Sequence, residues 1–259
     1  MSVLDKFRLD GQAAVVTGAG KGIGRGIAIA LAEAGADVAL AARNKDDLDK
    51  VKAEVEALGR KAIAVPTDVT SMDDLERLAQ AAVDAFGKLD IWVNNAGGLP
   101  DGTPRYLTRT PEDKFDAQIE LNLKAVWAGA ITAAQFMGDE GGAIINISSR
   151  AAKGMQANLK NGPYGASKAA VNSLTATLSR ELGPKFRVNA IAPGPIATEN
   201  FIDSMKMHTP ERERELMEYF QVPLARFGEP DDIGAAVVFM ASPASGWITG
   251  ECLYVAGGL

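Results

Sequence analysis

Along this chain, short runs that are apolar at nearly every position alternate with longer runs whose apolar residues recur every three or four. The first kind reads as strand and the second as helix. Strands are predicted at 13–18, 37–43, 61–69, 89–97, 142–149, 186–194 and 250–258. Helices are predicted between them at 22–35, 45–59, 71–87, 110–138, 164–183 and 229–243. Several ends carry their own signals. Gly35 and Gly59 stop the first two helices, Ser71 and Asp74 form a capping pattern, and Pro111 in the first helical position sets Thr110 as an N-cap. Residues 195–228 break the rhythm and read as an irregular insert with helical pieces.

Strands that are apolar on both faces must be covered on both sides, which implies a parallel sheet. The expected fold class is therefore α/β, a Rossmann-like doubly wound parallel sheet with helices on both faces. No linker, repeat or low-complexity tract interrupts it. One domain over 1–259 is expected, with a cofactor-binding half at about 11–150 and the insert at about 195–228 as a lid.

Composition changes this picture mainly by exclusion. The chain is 47% hydrophobic and carries a net charge of −6. With no strong basic patch, nucleic acid is not expected as a partner. Cys252 is the one cysteine and His208 the one histidine, so an intrachain disulfide is impossible and a zinc site built on His and Cys is all but excluded; no metal is expected. The segment "MSVLDKFRLDGQ" lacks the apolar core of a signal peptide, and every apolar run is broken short of a membrane span. A cytoplasmic protein without membrane association is expected. The "NIS" at 146–148 matches the glycosylation pattern inside a predicted buried strand and reads as a chance match.

Chemistry enters at "VVTGAGKGIG". Gly18, Gly20, Lys21, Gly22, Ile23 and Gly24 lie between the first strand and the first helix. Glycine there permits positive φ and close backbone approach to a pyrophosphate, with the N–H groups and dipole of the helix start behind it. No Ser or Thr follows a Gly-Lys pair, so it is not a Walker loop. An ordinary tight turn would also use glycine, but the strand–turn–helix context favours dinucleotide binding. The second strand ends "ALAARN", with Ala42 where an acid would hold a ribose hydroxyl and Arg43 next to it. Arg43 and Lys21 favour a 2′-phosphate, hence NADP(H); NAD(H) is the alternative, with both cations then merely solvated.

Further along, "YGASK" puts Tyr164 and Lys168 one helical turn apart on a shared face. Taken with "TGAGKGIG", "DV" at 68–69, "NNAG" at 94–97, "LN" at 121–122, "INISS" and "APGPIAT", the chain resembles the classical short-chain dehydrogenase/reductase family over essentially its whole length. The resemblance implies Tyr164 as general acid and base, Lys168 as partner of the nicotinamide ribose that lowers the tyrosine pKa, Ser149 as donor to the substrate oxygen, and Asn122 in a proton relay. It implies Asp68 and Val69 at the adenine, Asn95 and Gly97 along the cofactor, and Ile196 at the carboxamide. Ser149 lies fifteen positions before Tyr164, a wider spacing than the family pattern, with the extra residues in "MQANLKNG"; Ser148 is the alternative serine. Ala256 stands where the family often has an acid.

The segments 98–109, 150–163 and 195–227 are expected to line a substrate pocket. Phe201, Ile202, Met205, Met207, Leu216, Met217, Tyr219 and Phe220 give the third an apolar face, suited to a hydrophobic ketone or secondary alcohol of hydroxysteroid or aliphatic type, or else to packing on the body. A 3-oxoacyl-thioester reductase is the alternative, with Arg105, Arg109, Arg150 and Lys153 as cations for a carrier. A catalytically idle dinucleotide-binding sensor is a further one. The partner is then a small-molecule substrate, and the resemblance implies a homotetramer or homodimer paired through the helices of Asn122 and Tyr164. No role is expected for His208.

Overall fold

The computed structural model describes residues 2–154, 160 and 162–259. Seven strands form one sheet: β1 (Ala13–Thr17), β2 (Asp37–Ala42), β3 (Ala62–Pro66), β4 (Ile91–Asn94), β5 (Gly142–Ile147), β6 (Phe186–Pro193) and β7 (Cys252–Val255). All neighbours pair in parallel, in the order β3-β2-β1-β4-β5-β6-β7. The order reverses beside β1, where Thr17 pairs with Ala41 on one side and Val16 with Val93 on the other. A crevice opens at the carboxyl ends of strands at such a reversal, and this is where the fold can hold a ligand.

The helices α1 (Gly22–Glu33), α2 (Lys45–Ala57) and α3 (Met72–Phe86) follow the first three strands, and Ser71 caps α3 through Asp74 N–H as expected. Two apolar layers cover the sheet. Ile27, Leu31, Leu48 and Val55 pack on one face together with Ile233 and Val237 of α9 (Pro230–Ala241). Leu75, Leu78, Ala128, Ala133 and Leu178 pack on the other. Each fully buried Leu or Ile contributes about 2 kcal/mol of transfer free energy.

The long helix predicted at 110–138 is three pieces: α4 (Glu112–Ile119), a π-helical turn at Glu120–Lys124, and α5 (Ala125–Met137). Pro111, not Thr110, occupies the N-cap, because the Thr110 hydroxyl donates to the Tyr106 carbonyl instead. The helix α6 (Gly162–Glu181) starts two residues before Tyr164. The insert holds α7 (Glu199–Met205) and α8 (Pro210–Phe220). Asn146 of the "NIS" pattern is fully buried and donates to Thr175 Oγ1, so it offers no site for a sugar.

Candidate active site

Thr17 ends β1 and ties the first turn to β4. Its hydroxyl donates to the Val93 carbonyl and accepts from the N–H groups of Asn95 and Ala96, both at 3.0 Å. Asn95 returns the tie, its Nδ2 donating to the carbonyls of Thr17 at 2.8 Å and Gly18 at 3.3 Å. Gly18 needs its glycine twice, for φ of 67° and because a Cβ would lie 2.8 Å from Asn95 Nδ2. At Gly24 a Cβ would collide with the Gly18 carbonyl itself. The turn is thus a backbone cradle that excludes a side chain at Gly18 and at Gly24.

Two connected clefts flank this cradle. The first, of about 360 Å³, is lined by Gly18, Lys21, Gly22, Ile23, Gly24, Asn95, Gly97, Ser148, Ser149, Tyr164 and Lys168. The second, of about 750 Å³, carries Gly20, Arg43, Asp68 and Val69, with Gly18, Lys21 and Gly97 common to both. Every expected cofactor residue except Ile196 therefore lines one continuous trough. Ile196 is buried beside Gly228 at a separate small cavity. Asp68 uses its carboxylate to accept from the Thr70 N–H and hydroxyl. Arg43 is exposed at the trough, whereas Lys21 lies 3.1 Å from Asp47, an acid in the same wall.

The reactive end collects four side chains. Lys168 is 2% exposed; its Nζ donates to the Ile147 carbonyl at 2.8 Å and sits 5.8 Å from the Tyr164 ring centre. Burial pulls its ammonium down from the usual 10.5 to about 8. Tyr164 lies over the same cleft, and burial pushes its phenol above the ordinary value while a hydrogen bond with Ser149 pulls the other way. The net direction is upward, against the expectation of a lowered tyrosine pKa, because desolvation outweighs the hydrogen bond with Ser149. Ser149 Oγ also accepts from the Ala151 N–H. Ser148 is 2% exposed and donates to the Lys168 carbonyl, so its hydroxyl is committed to holding α6 against β5. Of the two serines, Ser149 is the one joined to Tyr164.

Asn122 sits inside the π turn and is fully buried. Its Oδ1 accepts from the Gly98 N–H and its Nδ2 donates to the Gly98 carbonyl, both at 2.8 Å. It does not line the trough; it clamps the loop that does. The clamp depends on Gln118, 5% exposed, whose Oε1 accepts from Asn122 Nδ2 at 2.8 Å. Gln118 drew no attention in the sequence, and its one signal is its place a turn before Asn122. A Cβ at Gly97 would meet Asn122 Oδ1 at 2.8 Å and Lys168 Nζ at 3.3 Å, so this glycine lets the loop close on both.

The insert reaches the cleft through Thr198, Glu199 and Asn200. Its aromatic residues turn to one another instead, with Phe201, Phe220 and Phe227 centred 5.4–6.2 Å apart. His208 is exposed, 3.5 Å from Asp203 and away from the cleft. His208→Ala is expected to change turnover less than about twofold, as for other exposed substitutions; a loss of orders of magnitude in kcat would refute this. "MQANLKNG" falls largely on 155–159 and 161, outside the described residues. Among the described residues no helix is long and apolar enough to cross a membrane, and no group of three His, Cys, Asp or Glu side chains could hold a metal.

Comparison with known proteins fits this geometry. The family model described as enoyl-(acyl carrier protein) reductase matches residues 18–259. The 7α-hydroxysteroid dehydrogenase of Escherichia coli K12 is 40% identical, over 98% of this chain and 96% of its own. The chain belongs to the short-chain dehydrogenase/reductase family. A 3-oxoacyl-(acyl-carrier-protein) reductase of Thermotoga maritima is 35% identical over 97% of this chain and 99% of its own. Among solved structures, a 7α-hydroxysteroid dehydrogenase complexed with NADH and 7-oxo glycochenodeoxycholic acid superimposes with a TM-score of 0.90 at 40% identity, covering 100% of this chain and 98% of that one. As a short-chain dehydrogenase/reductase, the chain is an oxidoreductase that interconverts CH–OH and carbonyl groups with a nicotinamide dinucleotide.

Proposed function

We propose that this protein is an NADP(H)-dependent dehydrogenase/reductase of a hydrophobic ketone or secondary alcohol, with Tyr164 handling the proton. The observation that carries the reading is the meeting of Tyr164, Ser149 and Lys168 at one end of a trough whose floor is the glycine cradle. The cradle fits a dinucleotide because side chains at Gly18 and Gly24 would fill it. When bound, the nicotinamide supplies or accepts the hydride. The chain does the rest. Tyr164 Oη donates its proton to the carbonyl oxygen in reduction, and Ser149 Oγ hydrogen-bonds the same oxygen as charge develops there. Lys168 Nζ holds the ribose and keeps positive charge beside the phenol. Asn122 holds the loop of Gly97 and Gly98 in place and belongs to the relay that returns a proton to Tyr164. The relative bound to a 7-oxo steroid acid supports the substrate class. The 3-oxoacyl thioester reading rests on the acyl-carrier relatives and remains the alternative.

The cofactor preference rests on Arg43, an exposed cation in the wall where an acid would otherwise hold a ribose hydroxyl. Lys21 contributes less, because Asp47 already faces it. Fluorescence titration is expected to show NADPH binding more tightly than NADH, and Arg43→Ala to weaken NADPH about tenfold with NADH unchanged. Preference for NADH would overturn the NADP(H) assignment and leave the dehydrogenase reading standing. Exposed Phe115 and Trp127 on α4 and α5 support pairing with a second copy through that helix, in a dimer or tetramer. The single cysteine suits a reducing cytoplasm.

A further inference from the structure

The loop that leaves β4 lines both clefts through Gly97 and Gly98, and it hangs on two anchors. The Thr17 hydroxyl fixes its first part by accepting from the Asn95 and Ala96 N–H groups. Asn122 fixes its second part, since both backbone polar groups of Gly98 meet its amide at 2.8 Å. A side-chain amide has one oxygen and two N–H donors. The oxygen and one N–H of Asn122 serve Gly98. The other N–H points to Gln118, reaching its Oε1 at 2.8 Å and its carbonyl at 3.1 Å. Three oxygens therefore surround Asn122 Nδ2, and two of them belong to Gln118.

That surround matters because the two ends of an amide differ little in shape, so packing does not choose between them. Turned over, Asn122 would set its oxygen against the Gly98 carbonyl and its N–H groups against the Gly98 N–H, and the loop would lose both bonds. Gln118 opposes the turn because its oxygens can meet only the N–H end. It sits in the last turn of α4, is 5% exposed, and lines neither cleft. The loop it governs has little slack. A Cβ on Gly97 would already lie 3.3 Å from Lys168 Nζ, so an inward drift meets Lys168 and an outward drift widens the cleft.

We propose that Gln118 is a positioning residue for the cofactor: through the Asn122 amide it fixes where Gly97 and Gly98 stand, and so pre-forms the seat beside Lys168. The inference rests on the reading of the trough as the dinucleotide site. A loop held in its binding conformation spares the ligand the cost of ordering it, so Gln118 contributes to affinity without touching the ligand.

The test compares Gln118→Leu with Gln118→Glu in the full chain. Leucine has similar bulk and no acceptor. Glutamate keeps the length and the acceptor, and Lys114 and Lys160 line the same wall, so its charge is not stranded. Three quantities are read: NADPH and NADH affinity by fluorescence titration, hydrogen exchange at the Gly98 amide, and the melting temperature. Gln118→Leu is expected to weaken the better-bound cofactor about tenfold, the size of one hydrogen bond, and to speed Gly98 exchange by a similar factor. Gln118→Glu is expected to restore both to within about threefold of the parent. That rescue separates positioning from packing. If Gln118 only filled space, leucine would match the parent and a buried carboxylate would be the worse of the two. Parental affinity and exchange in Gln118→Leu, or a glutamate variant as impaired as the leucine one, would overturn the proposal. Gln118→Met, unbranched and of the same length, carries the same expectation should leucine fail to fold. A parent chain that binds neither NADPH nor NADH would sink the dinucleotide reading and this inference with it, whereas firm binding in the parent with an indifferent Gln118→Leu would sink the inference only.

Discussion

Tyr164→Phe is expected to lower turnover by about 10²–10⁴-fold, the usual worth of a positioned acid or base. Its cofactor affinity should stay within about twofold of the parent, since the ring remains and only the hydroxyl goes. The phenol faces the cleft, is joined to Ser149, and is held by burial above the ordinary tyrosine value. A phenol so placed is protonated at neutral pH, which suits proton donation to a carbonyl. Alcohol oxidation needs the deprotonated form, so its rate is expected to climb as pH rises into the alkaline range while ketone reduction stays level across neutrality. In Tyr164→Phe that climb should vanish together with the rate. Steady-state kinetics in both directions from pH 6 to 10, with cofactor binding measured separately, decide the matter. Turnover that survives the substitution would remove Tyr164 from the chemistry.

What the sequence made legible was the part written in contiguous patterns. Buried parallel strands read as unbroken apolar runs, so all seven were visible, and the cradle was visible because glycine at φ of 67° has few substitutes. The π turn at Glu120–Lys124 was not, because one inserted residue in a helix leaves the apolar spacing nearly unchanged. Its consequence is large: it places Asn122 so that one amide satisfies both polar groups of Gly98. Thr110 was read as a cap because threonine commonly is one, yet a competing acceptor, the Tyr106 carbonyl, took its hydroxyl. Gln118 gains its meaning only through Asn122, because the contact that matters runs from Asn122 to Gly98 in the loop after β4. The insert was legible as an irregular segment with apolar positions, but not the turning of Phe201, Phe220 and Phe227 towards each other.

Lys168→Met separates function from stability at a single position. Lys168 is 2% exposed and its ammonium has been drawn down to about 8. A lysine that binds its proton less tightly when folded than when unfolded costs stability wherever both forms are charged. The cost is full at pH 7, and it is relieved as pH rises from about 8 towards the ordinary 10.5, where the unfolded chain still holds the proton and the folded chain has lost it. The shift corresponds to about 3 kcal/mol as an upper bound. Methionine has similar length and no charge, but it leaves the Ile147 carbonyl without the Nζ donor, a loss of about 1–3 kcal/mol. The two terms nearly offset, so the variant's melting temperature at pH 7 is expected to equal or exceed the parent's. Raising the pH from 7 to 9.5 should then stabilise the parent relative to the variant. Turnover is expected to drop by at least about 10²-fold, because the charge beside the phenol and the hold on the ribose both go. A variant that melts far below the parent at pH 7, or that shows the parent's own pH response, would mean that the buried ammonium is better solvated than its 2% exposure implies. The preserved turn, sheet and cleft in a variant that melts normally but does not turn over would instead identify Lys168 as a group kept at a cost in stability for the chemistry it serves.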